Sequence, residues 1–287
     1  MHWVIEPGFF SSQPVHTALA IGGVVAVVSG VVGVFTVMRG QSFAGHALTD
    51  VSTAGGSAAF LLGISPLLGF IGLGVIGAGS MDAIGVQRVR GRDLVTGVVL
   101  GAATGLAALL LYFDTTSHAT TGATQTILFG SIFSVAPGTT PVVVAFSLAT
   151  VAIMAVLYRP LLLASTNPDM AAARGVPVRA IGLCFMAALA VAVGLSSLAI
   201  GTILSTALLI GPAATALRLT RRVGAAVAAA AAIGVAATWI GVLLAYDSYS
   251  WGSSHKGFPV SFFIVAVTFL AYLISGVTRV RAGAREG

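Results

Sequence analysis

RGQSFAGHALTDVSTAGGSAAFLLG, spanning Arg39 to Gly63, is apolar and small-residue-rich enough to enter a bilayer, yet it carries an imidazole at His46 and a carboxylate at Asp50. Residues spaced i, i+4 on a helix project from one face, one turn apart. Ionisable groups in hydrocarbon are costly and usually face a polar interior. The segment is therefore expected to be a membrane-embedded helix with one wettable side.

The rest of the chain agrees. Of its 287 residues, 57% are hydrophobic and only 8% are charged, against about 25% charged in a soluble domain. Mean hydropathy is +1.03. The composition implies an all-α, polytopic membrane bundle forming one domain over residues 1–287. A span takes roughly 20 apolar residues. Candidates are Val15–Met38, Phe43–Leu62, Leu67–Val86, Leu94–Phe113, Pro141–Tyr158, Ala180–Ser197, Leu198–Leu217, Val223–Ala245 and Val260–Val277, eight or nine in all depending on the joint near Ser196–Gly201.

Charge sets the orientation. With alternate connections on alternate sides, Arg39, Arg88, Arg90, Arg92, Arg159, Arg174, Arg179, Arg218, Arg221, Arg222, Arg279, Arg281 and Arg285 all fall on one side, and only Lys256 lies opposite. Lys/Arg excess marks the cytoplasmic face. This puts the C-terminus inside and the N-terminus outside a bacterial plasma membrane. The sequence pI near 10.2 then reflects topology, and no nucleic-acid partner is implied. In the Thr/Ser/Gly-rich connection Asp114–Gly138, the apolar run Ile127–Val135 is too short to span and reads as an interfacial or re-entrant helix.

His46 and Asp50 offer ligands that borderline divalent ions accept. One pair is too few for a tight site, but two copies related by a twofold axis would supply two nitrogens and two carboxylates. A structural role for the pair is the alternative. In Ser165–Val178, Asn167, Pro168 and Asp169 form a helix start, the Ala run is helical, and Gly175 and Pro177 end it. Such a helix is either a docking element on the cytoplasmic face or a plain interfacial turn. Gly211-Pro212, within GTILSTALLIGPAAT, is expected to break a helix, either as a simple kink or as part of a transport pathway.

Several other residues read as structural. Asp93 suits a helix N-cap, and Asp82 suits a pairing with a nearby Arg. Cys184 suits a small buried residue, and His2, His16, His118 and His255 suit solvated positions near the outer surface. The chain has no G-x-x-x-x-G-K-[ST] run; Lys256 is its only lysine. ATP hydrolysis, if it drives transport, belongs to another polypeptide, and this chain is not itself an enzyme.

GVFTVMRGQSFAGHALTDVSTAGGSAAFLLG, ARGVPV and GTILSTALLIGPAATALRLTRR together resemble the membrane permease of the ABC-3 family of manganese, zinc or iron importers, and the resemblance covers nearly the whole chain. The family's first motif reads roughly R-x-x-S-L-x-G-D-A-x-S-H-A-x-x-P-G. Here His46 and Asp50 stand at its Asp and His positions, in inverted order, and Ala54-Gly55 replaces Pro-Gly. The resemblance implies a bundle like that of type II importers and a metal pathway through His46 and Asp50. It also implies a coupling helix seated in an ATPase, for which Asn167, Pro168, Asp169, Ala173, Arg174, Gly175 and Pro177 are the candidate residues. By the same likeness the permease is a homodimer with cytoplasmic ATP-binding ATPase subunits below and an extracellular metal-binding lipoprotein above. It carries Mn2+, Zn2+ or Fe2+ as cargo and holds no permanent cofactor.

Three other classes compete. A proton-coupled secondary metal transporter would work without any ATPase. An intramembrane hydrolase is weakened by the lack of G-x-S-x-G and H-E-x-x-H runs. A purely structural assembly protein would show no transport defect on deletion.

Overall fold

The computed structural model describes residues 9–84, 92–117, 121–130, 132–133, 135, 137–251 and 257–283. Among these the long helices are α1 (Gln13–Met38), α2 (Ser42–Leu61), α3 (Pro66–Ile84), α4 (Arg92–Ser117), α6 (Thr140–Thr166), α8 (Val178–Ile200), α9 (Thr202–Leu219), α10 (Val223–Asp247) and α11 (Val260–Gly283). Two short helices intervene, α5 (Thr121–Phe129) and α7 (Pro168–Ala173). Every expected span is thus a helix over its described residues. Eight are long and apolar enough to cross a membrane; the ninth, α2, falls short of that because it carries the polar residues. Arg88, Arg90, Arg285, Lys256, His2, His118 and His255 lie outside the described residues.

Glycines with positive φ turn the chain between helices. Gly40 (φ 62), Gly63 (φ 69) and Gly175 (φ 76) follow α1, α2 and α7. At each, a backbone N–H reaches back to close the helix end: Gln41 N–H to Thr36 O, Ile64 N–H to Ala59 O, Val176 N–H to Ala171 O. L-residues with a Cβ rarely adopt that conformation, and glycine adopts it freely.

Helices α1 and α8 are the most buried spans. The larger of two apolar clusters joins residues of α1, α2, α3, α6, α8, α9, α10 and α11, with Phe35, Leu48, Met154, Phe185, Leu189 and Leu195 sealed inside it. Helix α2 packs against α3, α4 and α8, while α4 touches the bundle mainly through α2 and leaves most of its length uncovered. Without a hydrophobic force between helices in lipid, small residues let backbones approach. A methyl group at Gly30 would strike the backbone of Ala230 and Ala231, and one at Gly55 would strike the carbonyl of Gly69.

Three expectations are corrected. The joint between the sixth and seventh spans falls at Gly201 (φ 83), not between Ser197 and Leu198. The short helix of the Asp114–Gly138 connection is Thr121–Phe129, upstream of the expected Ile127–Val135. It ends at Gly130 (φ 79), whose backbone lies against that of Gly201. Side chains at either glycine would force this contact apart. Finally, Gly211 and Pro212 do not break their helix: α9 runs unbroken through both. Proline removes only one ladder bond, and neighbouring groups can absorb it in a bundle. Thr215 Oγ1 donates to the Gly211 carbonyl at 2.8 Å. A methyl at Gly211 would meet Thr268 of α11, so this glycine admits a neighbouring helix.

Cross-contacts define two ends. Arg39 reaches Ser165, Asp82 pairs with Arg179 at 4.0 Å, and Arg218 stacks on Tyr272. The described arginines therefore gather at one end. At the other, Phe9 meets Tyr246, and Gly130 meets Gly201. Helix α6 has 27 residues and so is about 40 Å long, against a hydrocarbon core of about 30 Å. It continues through Pro160 and carries α7 on its arginine-rich end.

Candidate functional site

His46 and Asp50 both sit on α2, one turn apart, as the spacing implies. They do not bond each other. Each is met instead by a hydroxyl from another helix. His46 Nδ1 lies 3.2 Å from Thr206 Oγ1 of α9. Thr104 Oγ1 of α4 donates to Asp50 Oδ2.

Behind them the seam is lined with further hydroxyls. Thr49, fully buried, donates to Gly45 O at 3.1 Å and lies 3.3 Å from Thr206 Oγ1. Ser205 Oγ donates to Thr202 O at 3.1 Å and lies 3.5 Å from Thr49 Oγ1. Together α2, α4 and α9 form a polar groove that presents one imidazole, one carboxylate and several hydroxyl oxygens. Such oxygens are hard donors, the kind that Mn2+ and Mg2+ accept readily.

The groove is open on one side: His46 is exposed and Asp50 half-buried on the outer surface of the single chain. Among the described residues no three His, Cys, Asp or Glu side chains come together. One chain alone therefore supplies a single imidazole and a single carboxylate here.

Sequence reasoning singled out His46 and Asp50 but not the hydroxyls of Thr49, Thr104, Ser205 and Thr206 that lie beside them. Thr104 and Thr206 stand 54 residues from Asp50 and 160 from His46 respectively. Their only local signal is a hydroxyl amid small apolar neighbours.

Helix α7 forms as its start and stop signals imply. Asn167 Oδ1 accepts from Met170 N–H at 2.9 Å and caps it; Pro168 and Asp169 occupy the first turn, Ala173 ends it, Arg174 follows, and Gly175 turns the chain toward Pro177. Only Ala171 is buried, against α6 and α8, so Asn167, Pro168, Asp169, Ala173, Arg174, Gly175 and Pro177 all present an exposed surface. Gly211 and Pro212 lie on α9 beyond the groove, one to two turns past Thr206.

Other sequence assignments resolve more simply. Asp82 does pair with an arginine, Arg179. Asp93 lies in the first turn of α4, which begins at Arg92, and is not its N-cap. Cys184 is exposed on α8, where burial was expected. His16 Nε2 bonds the Phe10 carbonyl at 2.6 Å.

A family model described as the ABC 3 transport family matches residues 11–278. The chain is 31% identical to the manganese transport system membrane protein MntC of Halalkalibacterium halodurans over 238 residues, 82% of this chain and 80% of that one. It is 28% identical to the manganese import system permease protein ScaB of Streptococcus parasanguinis, over 89% of this chain and 90% of the relative. Its fold matches PsaBC from Streptococcus pneumoniae, solved in complex with Fab, with a TM-score of 0.79 and 25% identity, covering 93% of this chain and 92% of that one.

Proposed function

The chain belongs to the ABC 3 transport family, and from that premise we propose that it is the permease subunit of an ATP-driven importer whose cargo is a divalent transition metal, manganese ahead of zinc or iron. The groove between α2, α4 and α9 is the observation that carries this reading. A metal-accepting pair sits there within the membrane and opens toward a place where a second copy can stand.

A homodimer completes the site. Across a twofold axis the facing grooves bring together two His46 imidazoles and two Asp50 carboxylates, weak enough in combination for an ion to enter and leave. Helix α4 supports this arrangement. Gly97, Gly101 and Gly105 run along the face that also carries Thr104, and a methyl at any of these glycines meets nothing within 4 Å. Such a stripe suits close approach of a second helix in lipid.

Helix α7 is the seat for a separate cytoplasmic ATPase, which binds the ATP. The opposite end, with α5 and the aromatic residues Tyr246, Tyr249 and Phe258, receives an extracellular metal-binding lipoprotein. The arginine-rich end is cytoplasmic by charge, which puts the N-terminus outside. Family membership removes the ground for the proton-coupled alternative.

Substitution of His46 and Asp50 by alanine tests the assignment. Metal uptake should be abolished while the permease still assembles with its ATPase. Undiminished uptake by the double variant defeats the site.

A further inference from the structure

The arginine at the end of α1 stands apart from His46 and Asp50, yet it bridges the start of α2 and the end of α6, the helix that leads into α7. The geometry points to Arg39 as the positioning residue that ties the coupling segment to the pathway helix. The inference rests on the importer reading given above.

Arg39 is half-buried at the C-terminal end of α1, where a cation complements the helix dipole. That role alone would let its side chain point to solvent. Instead the side chain reaches toward the start of α2, the end of α6 and Phe185 of α8. Its Nε donates to Gln41 Oε1 at 3.3 Å, its Nη1 donates to Ser165 Oγ at 3.4 Å, and its Cζ lies over the Phe185 ring, 5.3 Å from the centroid.

Each partner has a defined place. Gln41 is 3% exposed and is the N-cap residue of α2, five residues before His46. Ser165 is in the last turn of α6, two residues before Asn167, the cap of α7. Its own proton goes to Leu161 O at 2.6 Å, which leaves the oxygen lone pairs free to accept from Arg39. Phe185 is fully buried on α8.

A displacement of α7 by the ATPase must move the last turn of α6. Arg39 passes that movement to the start of α2, and His46 lies only about 7.5 Å further along the helix axis. Both hydrogen bonds are long, so neither would hold the connection by itself. The planar fork and the stacking surface act together, and lysine cannot reproduce that combination.

The test uses the permease assembled with its ATPase and binding protein in liposomes, with ATP hydrolysis and Mn2+ uptake measured on one preparation. Arg39→Lys preserves the charge and Arg39→Ala removes it. Both should leave hydrolysis near the wild-type rate and lower Mn2+ imported per ATP by at least about fivefold, the low end of ordinary coupling between sites. Ser165→Ala, a smaller change, should do the same in part, and combining it with Arg39→Ala should add nothing. Full coupling in Arg39→Lys overturns the inference, as do additive losses in the double variant. If Arg39→Ala does not assemble, unchanged coupling in Ser165→Ala overturns it as well. A wild-type complex that hydrolyses ATP but imports no Mn2+ would instead defeat the importer reading itself.

Discussion

Replacing Thr104 by valine removes a single hydroxyl from the groove and nearly preserves shape. That hydroxyl donates to Asp50 Oδ2, and its oxygen also lies 2.8 Å from Leu100 O. It has one proton, and the charged acceptor is the stronger competitor for it. A hydrogen bond to a charged group contributes about 1.5–3 kcal/mol. Asp50 is half-buried and Thr104 exposed on the single chain, so the lower figure applies. About 1.5 kcal/mol corresponds to roughly tenfold in an equilibrium constant, within the range of about 10–100-fold found when a partner orienting a metal ligand is lost. Thr104→Val should therefore raise the KM for Mn2+ uptake about tenfold and leave the amount of permease in the membrane unchanged. Thr104→Ser, which keeps the donor, should stay near wild type. Uptake would be followed at graded Mn2+ concentrations in cells lacking other manganese importers. An unaltered KM in the valine variant, at normal membrane abundance, would refute the claim that Thr104 orients the carboxylate for metal.

Gly201→Ala should destabilise the detergent-solubilised chain by about 1–3 kcal/mol from backbone strain alone, because Gly201 holds φ 83 and ψ 162 and its added methyl would also strike Leu128 O. Thermal unfolding should show a clear fall relative to Gly72→Ala, where the methyl meets nothing within 4 Å; equal midpoints would contradict this. Gly101→Ile should leave the single chain folded yet prevent it from pairing, read as a shift from dimer to monomer by light scattering in detergent. A dimer of undiminished stability would remove α4 from the interface.

Much of the bundle is legible in the sequence, because hydropathy over 20-residue windows and arginine placement both follow from the bilayer itself. Asn167, Gly175 and Pro177 announce α7 through capping and turn chemistry, which acts over a few residues. The misreadings occur where packing overrides local signals. Pro212 looks like a break, but one lost ladder bond does not end a helix supported by α11 and α1. Gly201 looks like one glycine among 36, and only the neighbouring backbone of Gly130 reveals why the chain must turn there. Cys184 looks like a core residue, but on α8 it lies on the face left uncovered in the single chain.

The site divides in the same way. His46 and Asp50 stand out because ionisable residues are scarce within spans. Thr104 and Thr206 do not stand out, since threonine is ordinary in membrane helices and its significance lies in what it meets. A pattern within one helix can be read from spacing; a meeting of three helices cannot.

The polarity of α2 has a consequence for how the chain is made. Released alone from the insertion machinery into lipid, this segment would carry its carboxylate and imidazole into hydrocarbon with no companion, at a penalty of about 2.5–3.5 kcal/mol for the aspartate alone. Its tightest backbone contact is with the next span: Gly55 and Gly69 lie so close that neither admits a methyl. Helix α2 is thus suited to enter the bilayer as half of a hairpin with α3, and its polar side finds partners only when α4 and α9 arrive. Asp50 gains its hydroxyl companion two helices later in synthesis, from Thr104, whereas His46 must wait for Thr206 of α9.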